Sequence, residues 1–245
     1  MKKQYFLLLG LAVLLTGCFF PMRMTRVIGS GEVITQSRRV SNFSVVELSG
    51  VGTLIITQGD SEALEITAEK NIMPYLESAI NGKKLELGLQ DFVSIDPRAE
   101  IIYHLMVTDL ERVETSGLGN VEIGNLETEK FDLKISGSGN VQIDALQTDR
   151  FKLEVSGLGN IEIAGRINEQ RIDLSGAGNY DAGDLYSEDA SVDISGTGRA
   201  TVWAENKLDV EMSGMGSLQY YGSPTLSTEM SGAGSIKSLG EKEID

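Results

Sequence analysis

The segment Phe131-Asp132-Leu133-Lys134-Ile135-Ser136-Gly137-Ser138-Gly139-Asn140-Val141-Gln142-Ile143 carries the information that decides the fold. Phe131, Leu133 and Ile135 alternate with Asp132 and Lys134, and Val141 and Ile143 flank Gln142. Strict alternation puts the apolar side chains on one face of a strand. Between the two alternating runs stands a corner of small residues, in which glycine permits φ > 0 and a close approach of neighbouring backbones. The segment therefore predicts a strand, a Gly-rich corner and a second strand. A polar corner, Asp144-Ala145-Leu146-Gln147-Thr148-Asp149, follows.

The same frame recurs along the chain. The corner pairs Gly117 and Gly119, Gly137 and Gly139, Gly157 and Gly159, and Gly176 and Gly178 lead into Asn120, Asn140, Asn160 and Asn179. Degenerate copies begin at Ser195, Ser213 and Ser231, and an isolated one begins at Ser49. From Ser116 onward the motif serines are separated by 20, 20, 19, 20, 18 and 18 residues. A unit this small cannot bury its own apolar face, but stacked copies can. The fold expected is all-β, a parallel β-helix or β-solenoid-like stack of two-strand repeats. Equivalent positions then form columns. One is Val113, Leu133, Leu153, Ile172, Val192 and Val210; another is Ile135, Val155, Leu174, Ile194, Met212 and Met230. The asparagines would stack as an amide ladder that ends at Arg199.

Outward from the repeats, residues 113–240 form the solenoid and 38–112 a less regular β-rich part containing one short helix, Asn71 to Ile80. Asn71 would cap that helix, Pro74 would lie in its first turn, and Asn81-Gly82 would turn the chain after it. This part is expected to be continuous with the solenoid and to cover its first coil. The charged tail 241–245 would blunt the other end. At the N-terminus, Lys2 and Lys3 precede an apolar run from Tyr5 to Leu15 that is too short to cross a bilayer core of ~30 Å. Residues 1–17 have the layout of a secretory signal peptide. Leu15-Thr16-Gly17-Cys18 resembles the lipobox of bacterial lipoproteins, and Cys18 is the only cysteine. Residues 18–37 would then be the lipidated Cys18 and a tether. Phe19 follows the cysteine, not the aspartate associated with inner-membrane retention, so an outer-membrane lipoprotein is expected if the host is Gram-negative.

The net charge of −15 opposes binding to phosphate backbones, so neither nucleic acid nor nucleotide is expected as a partner. Gly117-x-Gly119 lacks the third glycine of a dinucleotide fingerprint, because Glu122 occupies that place. One acidic column stands out: Glu154, Asp173, Asp193, Glu211 and Glu229 each precede a motif serine by two residues. Stacked carboxylates repel, and a hard cation such as Ca²⁺ would relieve them. The plainer alternative is a solvated face, with Lys134 interrupting the column and Lys152 and Arg171 beside it. No metal site is assigned and no cofactor is expected. His104, the only histidine, has no nucleophile motif near it, so no catalytic residue is expected. Trp203, Tyr180, Tyr220 and Tyr221 fall in the later coils, where aromatic rings stack on sugars or fill a core. Tyr180 and Tyr220 are read as core residues and Tyr221 as exposed.

The sequence resembles the bacterial family "putative auto-transporter adhesin, head GIN domain". The entry segment Phe43–Gly50 with Leu54–Asp60 carries the resemblance, together with Glu65–Ala68, Asn81–Leu87 and the SGxGN repeats. The resemblance spans about residues 38–240. It implies a β-helical surface lipoprotein or secreted protein without a catalytic motif. The function expected is a non-catalytic binding or adhesion module of the cell envelope, held to the membrane by its lipid and engaging a polysaccharide or a surface protein. The alternatives are a periplasmic structural or signalling lipoprotein that binds a protein partner, and a glycan-acting β-helix enzyme.

Overall fold

A computed structural model describes residues 24–243; the leader, Cys18, the start of the tether, Ile244 and Asp245 lie outside the described residues. The strands are β1 (Thr25–Ile28), β2 (Val33–Arg38), β3 (Val45–Leu48), β4 (Val51–Gln58) and β5 (Ala63–Glu69). A 3₁₀ turn (Met73–Tyr75) precedes β6 (Leu76–Asn81), β7 (Lys84–Leu89), β8 (Val93–Asp96), β9 (Ile102–Val107) and β10 (Arg112–Thr115). The long strands follow: β11 (Leu118–Ile135), β12 (Val141–Val155), β13 (Asn160–Leu174), β14 (Asn179–Ile194) and β15 (Arg199–Met212). The chain ends with β16 (Ser217–Tyr221), β17 (Thr225–Met230) and β18 (Ser235–Gly240). They wind a parallel β-solenoid of about six coils.

Each full coil is one long strand bent at the polar corner, not the two strands expected. Strand β12, for example, runs without a break through Asp144–Asp149. Except at bulges, polar corner residues keep their ladder partners because the coils above and below bend with them. The apolar columns stack in register, Val113 on Leu133, Leu153, Ile172, Val192 and Val210, and these side chains are buried. Phe131 and Phe151 stack at 6.0 Å. In the next coil their column holds Gln170, which is fully buried and accepts from the Tyr180 hydroxyl at 3.1 Å while donating to Ser187 Oγ at 2.8 Å. Tyr180 is a core residue, and Tyr220 packs against the core from its edge.

The glycine corners are tight because the backbones touch. A Cβ on Gly137 would lie 2.0 Å from the Gly117 carbonyl oxygen, and one on Gly157 would lie 1.8 Å from that of Gly137. The left-handed φ allowed for at these corners is used only in the isolated early copy, at Gly52. At the motif corners from Ser116 onward, glycine serves close approach alone. Beside the corners, Asn140 Nδ2 donates to Asn120 Oδ1 at 3.5 Å, Asn160 Nδ2 to Asn140 Oδ1 at 3.2 Å, and Asn179 Nδ2 to Asn160 Oδ1 at 2.9 Å.

The N-terminal part departs from chain order. Strands β3 and β4 insert between the coil of β7 and β9 and the coil of β10 and β11. Antiparallel β6 and β5 then cover β7 and β9, and β2 adds to β5. The helix expected over Asn71 to Ile80 is instead the 3₁₀ turn followed by β6. Pairing with β7 across the Gly82-Lys83 turn wins over local helix formation. Asn71 caps no helix: its side chain donates to the Ile28 carbonyl and accepts from the Ser30 N–H. Within the stretch read as a tether, β1 pairs with β8 and β2 with β5. The tail, as far as Glu243, does not cover the last coil. Lys242 folds back to the Gly183 carbonyl at 2.7 Å, and Leu226 and Met230 stay exposed at the open end.

Substituting Gly157→Ala should destabilise the protein by about 3 kcal/mol, lowering Tm by ~6–12 °C, because neither touching backbone can retreat without breaking ladder bonds. Leu158→Ala, one residue along and exposed, should change stability by less than about 0.5 kcal/mol. Thermal melts followed by circular dichroism compare the two.

Candidate functional site in the corner groove

The differences in coil length are absorbed at the polar corner. The register shifts by one residue between Ile143 and Leu146 as β12 meets β13, and again between Glu162 and Ala164 as β13 meets β14. A larger shift falls between Ala182 and Tyr186 where β14 meets β15. Bulges of this kind bend a strand and re-aim its side chains. At Gly165 the backbone turns with φ +135°, and a Cβ there would meet the Leu146 carbonyl oxygen at 2.1 Å.

The result is one outward ladder across six coils: Glu127, Gln147, Arg166, Tyr186, Trp203 and Tyr221. It runs from charged and amide side chains to aromatic ones. From Glu127 to Trp203 the ladder floors two adjoining cavities of about 980 and 700 Å³, which share Gln58, Asn125, Glu127, Gln147 and Arg166. Gln58 closes one end by copying a backbone partner. Its Nε2 donates to the Glu127 carbonyl at 2.9 Å, and its Oε1 accepts from the Glu127 N–H at 2.9 Å. At the other end the Arg166 guanidinium lies 4.4 Å over the Tyr186 ring, and Tyr186 meets Trp203 edge-on at 5.4 Å. Lys242 covers Trp203 and Tyr221 at 5.3 and 5.1 Å and is ion-paired with Asp184. Trp203 is buried, and its indole N–H has no hydrogen-bond partner among the described residues. Tyr221, read from the sequence as exposed, is half-buried under Lys242.

The acidic column forms on a different face. Glu154, Asp173, Asp193, Glu211 and Glu229 stand in consecutive register. Their environments differ. Glu154 is held by Lys152 at 2.5 Å and Lys134 at 3.3 Å, and these two ammonium groups keep its carboxyl below the usual carboxylate range. At Asp173, partial burial first, and then the Asp193 and Glu154 carboxylates, push the pKa up. Among the described residues, no three acidic, histidine or cysteine side chains converge on one point. His104 lies exposed on β9 between Ile55 and Glu65. Cys18 lies outside the described residues.

The groove's own residues, Gln58, Asn125, Gln147, Arg166, Tyr186 and Lys242, were not singled out from the sequence. Counted from each motif serine, the ladder residues stand at offsets of 11, 11, 10, 11, 8 and 8. Alignment on the glycine motif therefore scatters them. The usable signal was the uneven serine spacing itself, which marks where the strands must bulge.

Asp173→Asn should raise Tm by about 1–2 °C at neutral pH, a figure kept small because much of the side chain still faces solvent. A raised folded-state pKa makes the charged form a cost above that pKa. The advantage of asparagine should therefore vanish as pH falls through the carboxylate range. Paired melts at neutral and acidic pH test both parts.

None of the curated proteins compared matches the chain. Among solved structures, a putative adhesin from Bacteroides fragilis is 26% identical with a TM-score of 0.81, covering 87% of this chain and 100% of its own. A putative lipid binding protein from Parabacteroides distasonis is 22% identical with a TM-score of 0.73, covering 88% and 100%. A putative adhesin from Parabacteroides merdae is 21% identical with a TM-score of 0.65, covering 87% and 99%. The family described as "Putative auto-transporter adhesin, head GIN domain" matches residues 42–224, three quarters of the sequence, and the chain belongs to it.

Proposed function

We propose that this protein is a non-catalytic binding module of the bacterial cell envelope, tethered through a lipid on Cys18, that engages an extended partner along its corner groove. The groove carries this reading: one ladder of polar, then aromatic, side chains crosses six consecutive coils. Such a row suits a polymer lying along the stack better than a small molecule, which needs enclosure. The family supports a binding role, as does the B. fragilis relative described as a putative adhesin. Among the described residues no helix is long and apolar enough to cross a membrane. Lipid on Cys18 would supply the attachment, with each buried methylene contributing ~0.8 kcal/mol.

The test has two parts. Radiolabelled palmitate should enter the full-length protein and not Cys18→Ser. Protease added to intact cells should degrade the lipidated protein as completely as it does after lysis. Labelling with protection on intact cells would favour the periplasmic reading, a structural or signalling lipoprotein with a protein partner. Labelling of Cys18→Ser would remove the lipid anchor from the proposal.

A further inference from the structure

We infer that the corner groove takes an uncharged polysaccharide, its chain running along the solenoid axis and across the strands. The inference rests on reading the groove as a binding site and adds the ligand class. Direction follows from register. Coils stack at ~4.8 Å, so the five steps from the coil of Gln58 to that of Trp203 span ~24 Å along the axis. The strands flooring this span, β12 to β14, are paired on both sides. No free edge is offered there, so a peptide cannot join by strand addition.

Charge narrows the class further. The cations lining the groove are Arg166 and Lys242, against six carboxylates, and Lys242 is ion-paired. Arg166 lies on the Tyr186 ring, and Lys242 is held by Asp184 and the Gly183 carbonyl. A polyanion would meet Asp60, Glu127 and Asp149 with Arg166 alone to answer it among the described lining residues, on a protein of net charge −15. A polycation would be drawn to those carboxylates but would leave the uncharged Asn125, Gln147 and Asn168 amides of the groove unused. It would seek the aromatic faces, but Arg166 and Lys242 already occupy Tyr186, Trp203 and Tyr221.

A hydroxyl-rich uncharged chain matches what remains. The Asn125 and Gln147 amides both donate and accept, and the Glu127 and Asp149 carboxylates accept from hydroxyls. Such a ligand needs many weak polar contacts in a row, which a ladder of outward side chains at fixed coil spacing supplies.

The full-length lipidated protein, held in detergent, is titrated with soluble glucan, mannan and galactan oligomers, with a polyuronate and with oligolysine. At least one uncharged oligomer should bind, with an affinity that hardly changes between low and high salt. Gln147→Ala should weaken that binding about tenfold, and Tyr186→Ala, which removes the ring that seats Arg166 against the groove, should weaken it comparably. Asp173→Asn, on the other face, should leave it unchanged. Melting temperatures confirm that the variants fold; Gln147 is exposed, so its variant stays informative if Tyr186→Ala unfolds. Binding of the polyuronate or oligolysine that Gln147→Ala abolishes would overturn the ligand class and leave the groove as the binding site. Uncharged binding that survives Gln147→Ala and Tyr186→Ala, or no binding at all, would overturn the inference, while the lipid-labelling and protease results on cells judge the envelope-module reading separately.

Discussion

The contact between stacked glycine carbonyls and the bare Cα atoms above them holds the other features of the solenoid in place. At the first glycine of each motif from Ser116 to Ser231, an added Cβ would sit within about 2 Å of the oxygen one coil below. Two chains cannot come this close if either carries a side chain. Because they do, the corners stack without a gap, and each coil inherits the register of its neighbour. The asparagine amides beside the corner bond along the same axis. The apolar columns then follow, since a slip of one residue would turn every inward side chain outward.

The N-terminal part and the last coil treat the two ends of the stack differently. At one end, antiparallel β6 and β5 cover the coil of β7 and β9, so that end offers no parallel strand to a further copy. Glu69 fastens this cover. Its buried carboxylate accepts from the Gly31, Arg98 and Ala99 backbone N–H groups, and these bonds outweigh burial and keep its pKa low. At the other end β17 finishes the core columns with side chains that remain in solvent, and β18 adds only the half-buried Ile236 and Leu239. The tail leaves that end open because Lys242 finds a carboxylate and two aromatic rings on the side of the stack instead.

The parts of this arrangement legible in the sequence are those set by local alternation and by the repeat. Phe131 to Ile135 and Val141 to Ile143 announce their buried faces, and the serine spacing announces the stacking. Strand continuity through Asp144–Asp149 was not legible, because polar residues with satisfied ladder bonds look like loop residues. The strand at Leu76–Asn81 was hidden for a related reason. Its partner β7 fixes it, while Asn71 and Pro74 imitate a helix start. The insertion of β3 and β4 between later coils depends on contacts across more than 50 residues of sequence, such as Val46 with Val113, and no local pattern encodes it. The acidic column was legible because it stands next to the glycine motif, where the offset is constant.

The same division explains why the candidate site was the least visible part. On the glycine side, coil geometry is rigid and the sequence repeats. On the polar side, insertions and deletions are taken up as bulges at Ile143–Leu146, Glu162–Ala164 and Ala182–Tyr186. Each bulge re-aims the next ladder residue without disturbing the columns behind it, since Leu153, Ile172 and Val192 recover their register beyond the corner. The fold therefore separates two tasks within one coil. Glycine and aliphatic positions maintain the stack, and the far corner can exchange an amide for a guanidinium or an aromatic ring at little cost in stability. A surface built this way can vary from coil to coil while its spacing stays fixed, so the outward face can change without the core being rebuilt.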